Sequence, residues 1–419
     1  MQTLESTSVD YEYLAPVEAT SLSPAFYQNL LDRCWRRSGT TIYRPNQARS
    51  CCPYYTIRLD SGRFKPSRNQ RQTVNRFTKF VCGDAYVKEA ARLYPKTRED
   101  VRRRDNEFSL LDRIHEAEYD RLRLPPEPAH KFVVTLEVDT FTEEKYQVFD
   151  NYQRVVHNDP PSKRTREAFV RFLCSSPLRR GFLVEEGQGR KRLGSYHQCY
   201  RLDGVLVAMG VLDLLPTCVS SVYFLYHESI DKHAPGKLGA LHEIALALEE
   251  GYQWWYPGYY IHNCPKMKYK IDYSPQFILD PSTFCWDPLD STVLSLLDQK
   301  PFVSLSMERD GAVTSGQGTA GHDDNPDSGV RRRNEKGSLF RSGMPGISSV
   351  SDMMRVDLDH VALRISSAGP LFVMSDLVPH REEASFEDWH GFKASVAELV
   401  AAIGPDMVER LCLDVTIGN

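Results

Sequence analysis

The chain has 419 residues, 41% of them hydrophobic and 26% charged, with a net charge of −4. That composition suits a globular protein with room for two domains and a sizeable core. The absence of any run of 18 apolar residues excludes a spanning helix. Ten scattered cysteines behind a polar, acidic start predict a reducing compartment, cytosol or nucleus.

Residues 1–22 read as a disordered leader. Ser23-Pro24 opens a short helix with Phe26, Leu30, Leu31 and Cys34 on one face. Residues 32–60 read as turns and short strands, and Ser67 to Phe80 as a basic helix buried along Val74, Phe77 and Phe80. Twelve Lys or Arg lie between Arg33 and Lys79 against one acid, Asp60. Such segregation speaks of a polyanionic partner. Residues 96–130 form a charged linker after a first domain at 23–95. A second domain, 131–300, opens with KFVVTLEVDTF, which alternates as a half-buried strand. Helices over 142–157 and 162–174 follow. Two β runs then flank Asp203-Gly204, a hairpin dipeptide. A strand at 218–228, a helix at 237–251 and an aromatic strand at 253–262 predict a mixed sheet with a helix packed on it. Strict alternation puts Ser221, Tyr223 and Leu225 on one face of the 218–228 strand. Residues 308–346 read as disordered, and 350–419 as a small appendage with a strand at 361–365 and a helix at 386–403.

Several side chains carry candidate chemistry. Cys51 and Cys52 stand adjacent in CCPYYTIRL, where a soft metal or an iron–sulfur cluster could use both thiolates. Arg36, Arg37 and Arg58 flank that pair and suit a carboxylate or phosphate, or else serve as solubilising charge; Trp35 beside them reads as core. His197 and Gln198 lie on the strand before the hairpin, as acid–base or hydrogen-bonding groups or as satisfied structural residues. Tyr226 and Glu228 offer a donor and a base, with plain aromatic packing as the alternative. Glu243 sits in an apolar helix, at the edge of its buried side. It follows His242, but Leu246 breaks the HExxH zinc-protease pattern. Tyr260, His262, Lys266, Lys268 and Lys270 form an aromatic-then-basic run suited to stacking on an RNA end, or a solvated tail. No nucleotide-phosphate loop is present.

CWRRSG at 34–39, CCPYYTIRL at 51–59 and FKPS at 64–67 resemble the N-terminal domain of the arginyl-tRNA–protein transferases. GSYHQCYRLDG, LLPTCVSSVYFLYHE and GYYIHNCPKMKYK resemble their catalytic domain. The resemblance covers roughly residues 24–300. It implies an α+β chain: a small Cys-containing domain, then a mixed-sheet catalytic domain like the acyl-CoA N-acyltransferases. It implies transfer of arginine from arginyl-tRNA to proteins beginning with Asp, Glu or oxidised Cys, which marks them for ubiquitin-dependent degradation. The partners implied are arginyl-tRNA and acceptor proteins with acidic N-terminal residues, and no membrane. The donor ester is already activated, so the transfer chemistry needs positioning and proton transfer and no cofactor.

His197, Gln198, Tyr226 and Glu228, with the resemblance behind them, and Glu243, from its place on the apolar helix, are the candidate catalytic groups. Arg36, Arg37, Arg58, Ser221, Tyr260, His262, Lys266, Lys268 and Lys270 become substrate contacts. Zinc or an iron–sulfur cluster is the implied group at Cys51 and Cys52. The family's upstream Cys-Gly-Tyr-Cys element has no counterpart, since the first 33 residues hold no Cys. The site is therefore incomplete, at two ligands of four. Three readings follow: a chain start that leaves out upstream residues, a divergent paralogue with a weakened or absent metal, or a rearranged site that uses Cys34 and Cys82. Two other function classes stay open. One is a catalytically weak paralogue that binds tRNA or protein N-termini. The other is a small-thioester N-acyltransferase, for which APGKLGALHE at 234–243 is only a loose donor-loop match.

Overall fold

The computed structural model describes residues 16–185, 188–314, 339–366, 369–377 and 391–415. Strand β1 (Val17–Glu18) precedes helix α1 (Pro24–Leu31). Ser23 caps α1: its Oγ accepts the Phe26 N–H at 3.2 Å, and Pro24 fits the first turn, where its missing donor costs nothing. Strands β2 (Arg36–Ser38) and β3 (Thr41–Tyr43) complete a small sheet of order β1-β3-β2. Val17 pairs with Ile42, so the end of the expected leader is ordered sheet; residues 1–15 lie outside the described residues.

Strand β4 (Tyr55–Asp60) leads to α2 (Arg68–Leu93), whose Ser67–Gln70 capping box confirms the basic helix. The helical run continues past Phe80 but breaks at Gly83, φ +75°. Helices α3 (Arg98–Asn106) and α4 (Leu110–Ile114) occupy the stretch expected as a linker. Its 110–117 part joins the core, because Leu110, Ile114 and Ala117 are buried in the main apolar cluster, while the described side chains of α3 are exposed. After β5 (Phe132–Val138), α5 (Glu143–Val155) and α6 (Arg166–Phe169) come the antiparallel strands β6 (Gly181–Glu185), β7 (Gln188–Leu202), β8 (Val205–Leu215) and β9 (Cys218–Tyr226). Asp203 and Gly204 turn β7 into β8 with φ of 54° and 82°, the conformation the dipeptide favours. Helix α7 (Pro235–Glu249) then crosses over to β10 (Trp254–Tyr256), followed by β11 (Tyr259–Tyr260), β12 (Gln276–Leu279) and β13 (Trp286–Pro288).

The main sheet runs β13-β12-β4-β10-β9-β8-β7-β5, with β11 on β4 and β6 on β7. The fold is thus mixed α and β. Strand β4, from the expected first domain, sits in the middle of the sheet of the expected second one. The two segments share a single sheet, and no boundary between sheets falls at residues 96–130. The pair β9–β10 is parallel, joined by the α7 crossover, and the other pairs of this sheet are antiparallel. Helix α7 lies on one face with Leu241, Ile244 and Ala245 fully buried, and α5 and α6 cover the other.

Helices α8 (Ser291–Gln299) and α9 (Leu305–Thr314) follow. Residues 308–314 of the stretch expected as disordered are therefore helical, 339–341 form a short turn of helix, and 315–338 lie outside the described residues. The last segment holds α10 (Val350–Met353), β14 (Ala362–Arg364), β15 (Leu371–Val373), α11 (Met374–Leu377), α12 (Gly391–Ile403) and β16 (Cys412–Asp414). Its sheet runs β15-β14-β16. It is no loose appendage. Ala402, Ile403 and Met407 pack with Tyr27, Leu31 and Trp35, and the Trp35 indole donates to the Ala402 carbonyl at 3.2 Å.

Candidate functional site

Strands β9 and β10 pair only over Cys218–Ser220 and Trp254–Tyr256, although β9 runs on to Tyr226. Beyond Ser220 the parallel strands part, and polar side chains gather at the opening. A bulge sets which ones. Val211 pairs with Tyr223 and Leu212 with Ser221, so Val222 is left over. The extra residue breaks the alternation: Ser221 turns toward α7 while Tyr223 and Leu225 face α5.

Ser221 Oγ donates to Glu243 Oε1 at 3.2 Å, and the Trp255 indole donates to Glu243 Oε2 at 2.8 Å. Glu243 is 1% exposed on an almost wholly apolar helix. Burial pushes its carboxyl up to about 7, opposed by those two hydrogen bonds and by the Lys270 charge. Lys270 is also sunk, its Nζ donating to the Tyr259 carbonyl at 2.7 Å. Burial, then the neighbouring Arg36, brings its ammonium down to about 8. Gly258 stands between Ser221 and Lys270 with φ +81°. A Cβ there would lie 3.6 Å from the Ser221 carbonyl oxygen and 3.5 Å from Lys270 Nζ. Arg36 lies 4.8 Å over the Tyr259 ring. Its Nη1 donates to the Trp35 carbonyl at 2.8 Å, while its buried Nε and Nη2 have no partner among the described residues. Arg36, Ser221, Glu243 and Lys270 thus converge around Gly258 and Tyr259. The arrangement offers a carboxyl that exchanges protons near neutrality beside two cations, which suits deprotonation of an amine and stabilisation of an oxyanion.

Other candidates stand elsewhere. His197 and Gln198 point to opposite faces of β7. His197 is fully buried on the α5 side, with Nε2 at 3.0 Å from the Leu173 carbonyl, and burial holds it neutral, down at about 4. That face is closed to the opening, so the acid–base expectation for His197 is corrected to a structural one. Gln198 accepts from the Tyr200 hydroxyl at 2.7 Å, on the α7 side. Tyr226 donates to Asp231 at 3.1 Å and rises to about 12, mainly by burial. Glu228 accepts from Asn151 and pairs with Arg154 at 3.1 Å, which lowers its carboxyl. The two do not form a donor–base pair. Arg37 is likewise no substrate contact: Nε and Nη2 grip Asp213 at 2.8 and 2.6 Å, and Nη2 also meets Ser195 at 3.1 Å, all buried. Arg58 is stacked between Trp254 and Trp286, 3.7 and 3.9 Å from the ring centres. Tyr260 is fully buried and bonds His262, which reaches Asp298 at 2.7 Å. Lys266 and Lys268 are exposed, while Lys270 is buried.

Cys51 and Cys52 sit at the surface with sulfurs 3.7 Å apart. The Cys52 thiol is raised by its contact with Cys51, then by burial, Cys51 charge and Cys264. Cys34 is buried among Gln47, Thr56 and Arg44, and Cys82 is held in α2, pushed up to about 11 by burial. Neither completes a four-thiolate set with the pair, so the residues present do not fit the zinc or cluster site implied by the resemblance.

A groove of about 720 Å³ opens between α2, α3 and α4, lined among others by Arg68, Arg71, Lys79, Asp84, Arg104 and Arg113. Five cations stand against one acid among these six, with Lys79 paired to Asp84 and both Arg104 and Arg113 paired to Glu116.

Comparison with known proteins meets this geometry. The family described as arginine-tRNA-protein transferase, C terminus, matches residues 144–280, and its N-terminus counterpart matches 4–72. Arginyl-tRNA–protein transferase 1 of Saccharomyces cerevisiae is 29% identical over 269 residues, 61% of this chain and 49% of that protein. Its namesake in Arabidopsis thaliana is 38% identical over 186 residues, 42% of this chain and 29% of the relative. An aspartate/glutamate leucyltransferase of Pseudomonas fluorescens is 27% identical over 254 residues, 59% of this chain and 77% of the relative. The chain thus matches about half of the yeast protein's length, and less of the Arabidopsis one.

Proposed function

This chain belongs to the arginyl-tRNA–protein transferase family, and from that premise we propose that it moves arginine from arginyl-tRNA to the N-terminal α-amine of a protein. The observation that carries this reading is the Ser221–Glu243 hydrogen bond at the point where β9 and β10 part. The acceptor amine attacks the ester carbonyl, a C–N bond forms, and the C–O bond to the terminal ribose breaks. The amine proton passes through the half-buried Ser221 hydroxyl to Glu243, which lies too deep to be reached directly, and returns by the same route to the departing ribose oxygen, which leaves as a hydroxyl. Lys270 stabilises the oxyanion. The unpartnered edge of Arg36 accepts the carboxylate of an acidic first residue, a charge-assisted pair in a dry setting. The basic groove takes the tRNA backbone. The parted β9–α7–β10 unit supports reading the sheet as acyl-CoA N-acyltransferase-like. Acceptors so marked would enter ubiquitin-dependent degradation in cytosol or nucleus.

The test uses purified protein, Arg-charged tRNA and a peptide beginning with Asp, without ATP. Arg-Asp peptide is expected, with far less product from the peptide beginning with Gly. Product from acetyl-CoA in place of charged tRNA would instead establish a thioester donor. Binding of charged tRNA with no product would establish a non-catalytic paralogue.

A further inference from the structure

His115, Glu118 and His242 lie outside the strand opening, and the transfer chemistry makes no use of them. His115 follows α4, Glu118 stands three residues on, and His242 precedes Glu243 on α7. One ligand atom from each lies within 4.8 Å of the other two. Glu118 and His242 are 9% and 2% exposed. His115 Nδ1 is 2.6 Å from Glu118 Oε1, and its Nε2 is 3.0 Å from Glu249 Oε1. The His242 ring stands edge-on to His115, with centroids 5.7 Å apart. His242 Nδ1 is buried without a hydrogen-bond partner among the described residues. An unmet buried polar atom costs about 1–3 kcal/mol, so a ligand on this ring would relieve that cost.

We propose that His115, Glu118 and His242 bind one divalent transition-metal ion, zinc by their chemistry, with Glu249 orienting the His115 ring. Two imidazoles and a carboxylate suit zinc and not calcium or magnesium, which take oxygen ligands. Zinc holds nitrogen and oxygen at about 2.0–2.2 Å, which brings tetrahedral ligands to about 3.3 Å from one another. The cluster therefore closes by up to about 1.5 Å by side-chain rotation. The ion enters between His115 Nδ1 and Glu118, and the proton shared there leaves to solvent. Glu249 stays near the opposite nitrogen, at 3.0 Å, where a carboxylate commonly supports a metal-bound imidazole. Water fills the fourth position. The ion would fasten residues 110–121 to α7, the helix that carries Glu243, so its role is to position that helix.

The cysteine pair is a competing zinc ligand, so the full-length Cys51→Ser/Cys52→Ser variant is used. Zinc binding is followed by calorimetry, and Co(II) substitution by visible absorption. One ion per chain is expected, with a cobalt spectrum free of sulfur charge-transfer bands. His242→Gln should weaken zinc binding at least about 100-fold and Glu249→Gln about tenfold, each with an unchanged circular dichroism spectrum. If His242→Gln does not fold, Glu118→Gln is read for the same loss. No bound ion in the serine variant, a sulfur-ligated spectrum, or unchanged affinity in the folded ligand variants overturns the site.

Discussion

Glu243 shows what one buried carboxyl can do and what it costs. Its folded value of about 7 stands above the ordinary 4.5, so the neutral form is favoured in the folded state. The associated stability is fully present below pH 4.5 and is lost as pH rises through about 7. The loss amounts to about 3 kcal/mol, because each tenfold change in proton affinity is worth about 1.4 kcal/mol. Glu243→Gln keeps an acceptor and removes the charge. It is expected to be more stable than the parent at pH 8.5, equal to it near pH 4.5, and slower in transfer by about 100-fold or more. Urea unfolding at the two pH values and single-turnover transfer check both halves. With Lys270 at about 8, transfer rises as pH passes about 7 and falls beyond about 8. A flat profile over pH 6–9 with Glu243→Gln fully active would remove both residues from the chemistry. Arg37 is the contrasting case, in which position decides against chemistry. Its partner Asp213 is fully buried, so Arg37→Ala leaves a charge unpaired and is expected to cost about 3–5 kcal/mol, read by thermal unfolding.

At the scale of elements, the sequence showed the helices and strands more clearly than their faces. The Asp203-Gly204 hairpin, the capped α1 and α2, and the α7 crossover follow from local chemistry and stand where expected. The face of Ser221 does not, because a bulge is a disagreement between two strands and β9 alone carries no sign of it. His197 was hidden in the same way: which side of β7 is closed depends on α5 and α6, far along the chain. Lys270 and Glu243 were legible as types, but the charge interaction between them was not. Gly258→Ala forces a side chain into a left-handed backbone beside Lys270. It is expected to lower stability by about 1 kcal/mol and transfer by more than that loss explains. Transfer assays at a temperature where the variant is fully folded separate the two. Helix α2 carries the RNA argument. Arg68→Ala/Arg71→Ala is expected to flatten the log–log salt dependence of tRNA binding by about 0.9 per phosphate contact removed, with little change in acceptor KM. A slope equal to the parent's would take the groove out of tRNA binding.

Across the whole molecule, the expected division into a cysteine domain and a catalytic domain gives way to a shared sheet. Composition shifts mark charge, and strand β4 is inserted by long-range pairing that no local window reports. The last segment closes the assembly from outside. The α12 carbonyl of Ala402 accepts from both Trp35 and the fully buried Arg44, at 3.2 and 3.0 Å, and Asp406 meets Arg33 at 2.8 Å. Arg36 of the candidate site follows Trp35 directly. Ending the chain at residue 338 would therefore strip acceptors from two buried donors and uncover Tyr27, Leu31 and Trp35. Unmet donors cost about 1–3 kcal/mol each, and the exposed aromatic surface adds to that. The expected outcome is local: amides of residues 24–44 lose hydrogen-exchange protection while β7, β8 and β9 keep theirs. Transfer falls because Arg36 is no longer held over Tyr259. Were residues 24–44 equally protected in the shortened chain, the closing segment would have no part in holding the site, and Arg36 would owe its place to the β2–β3 pairing alone.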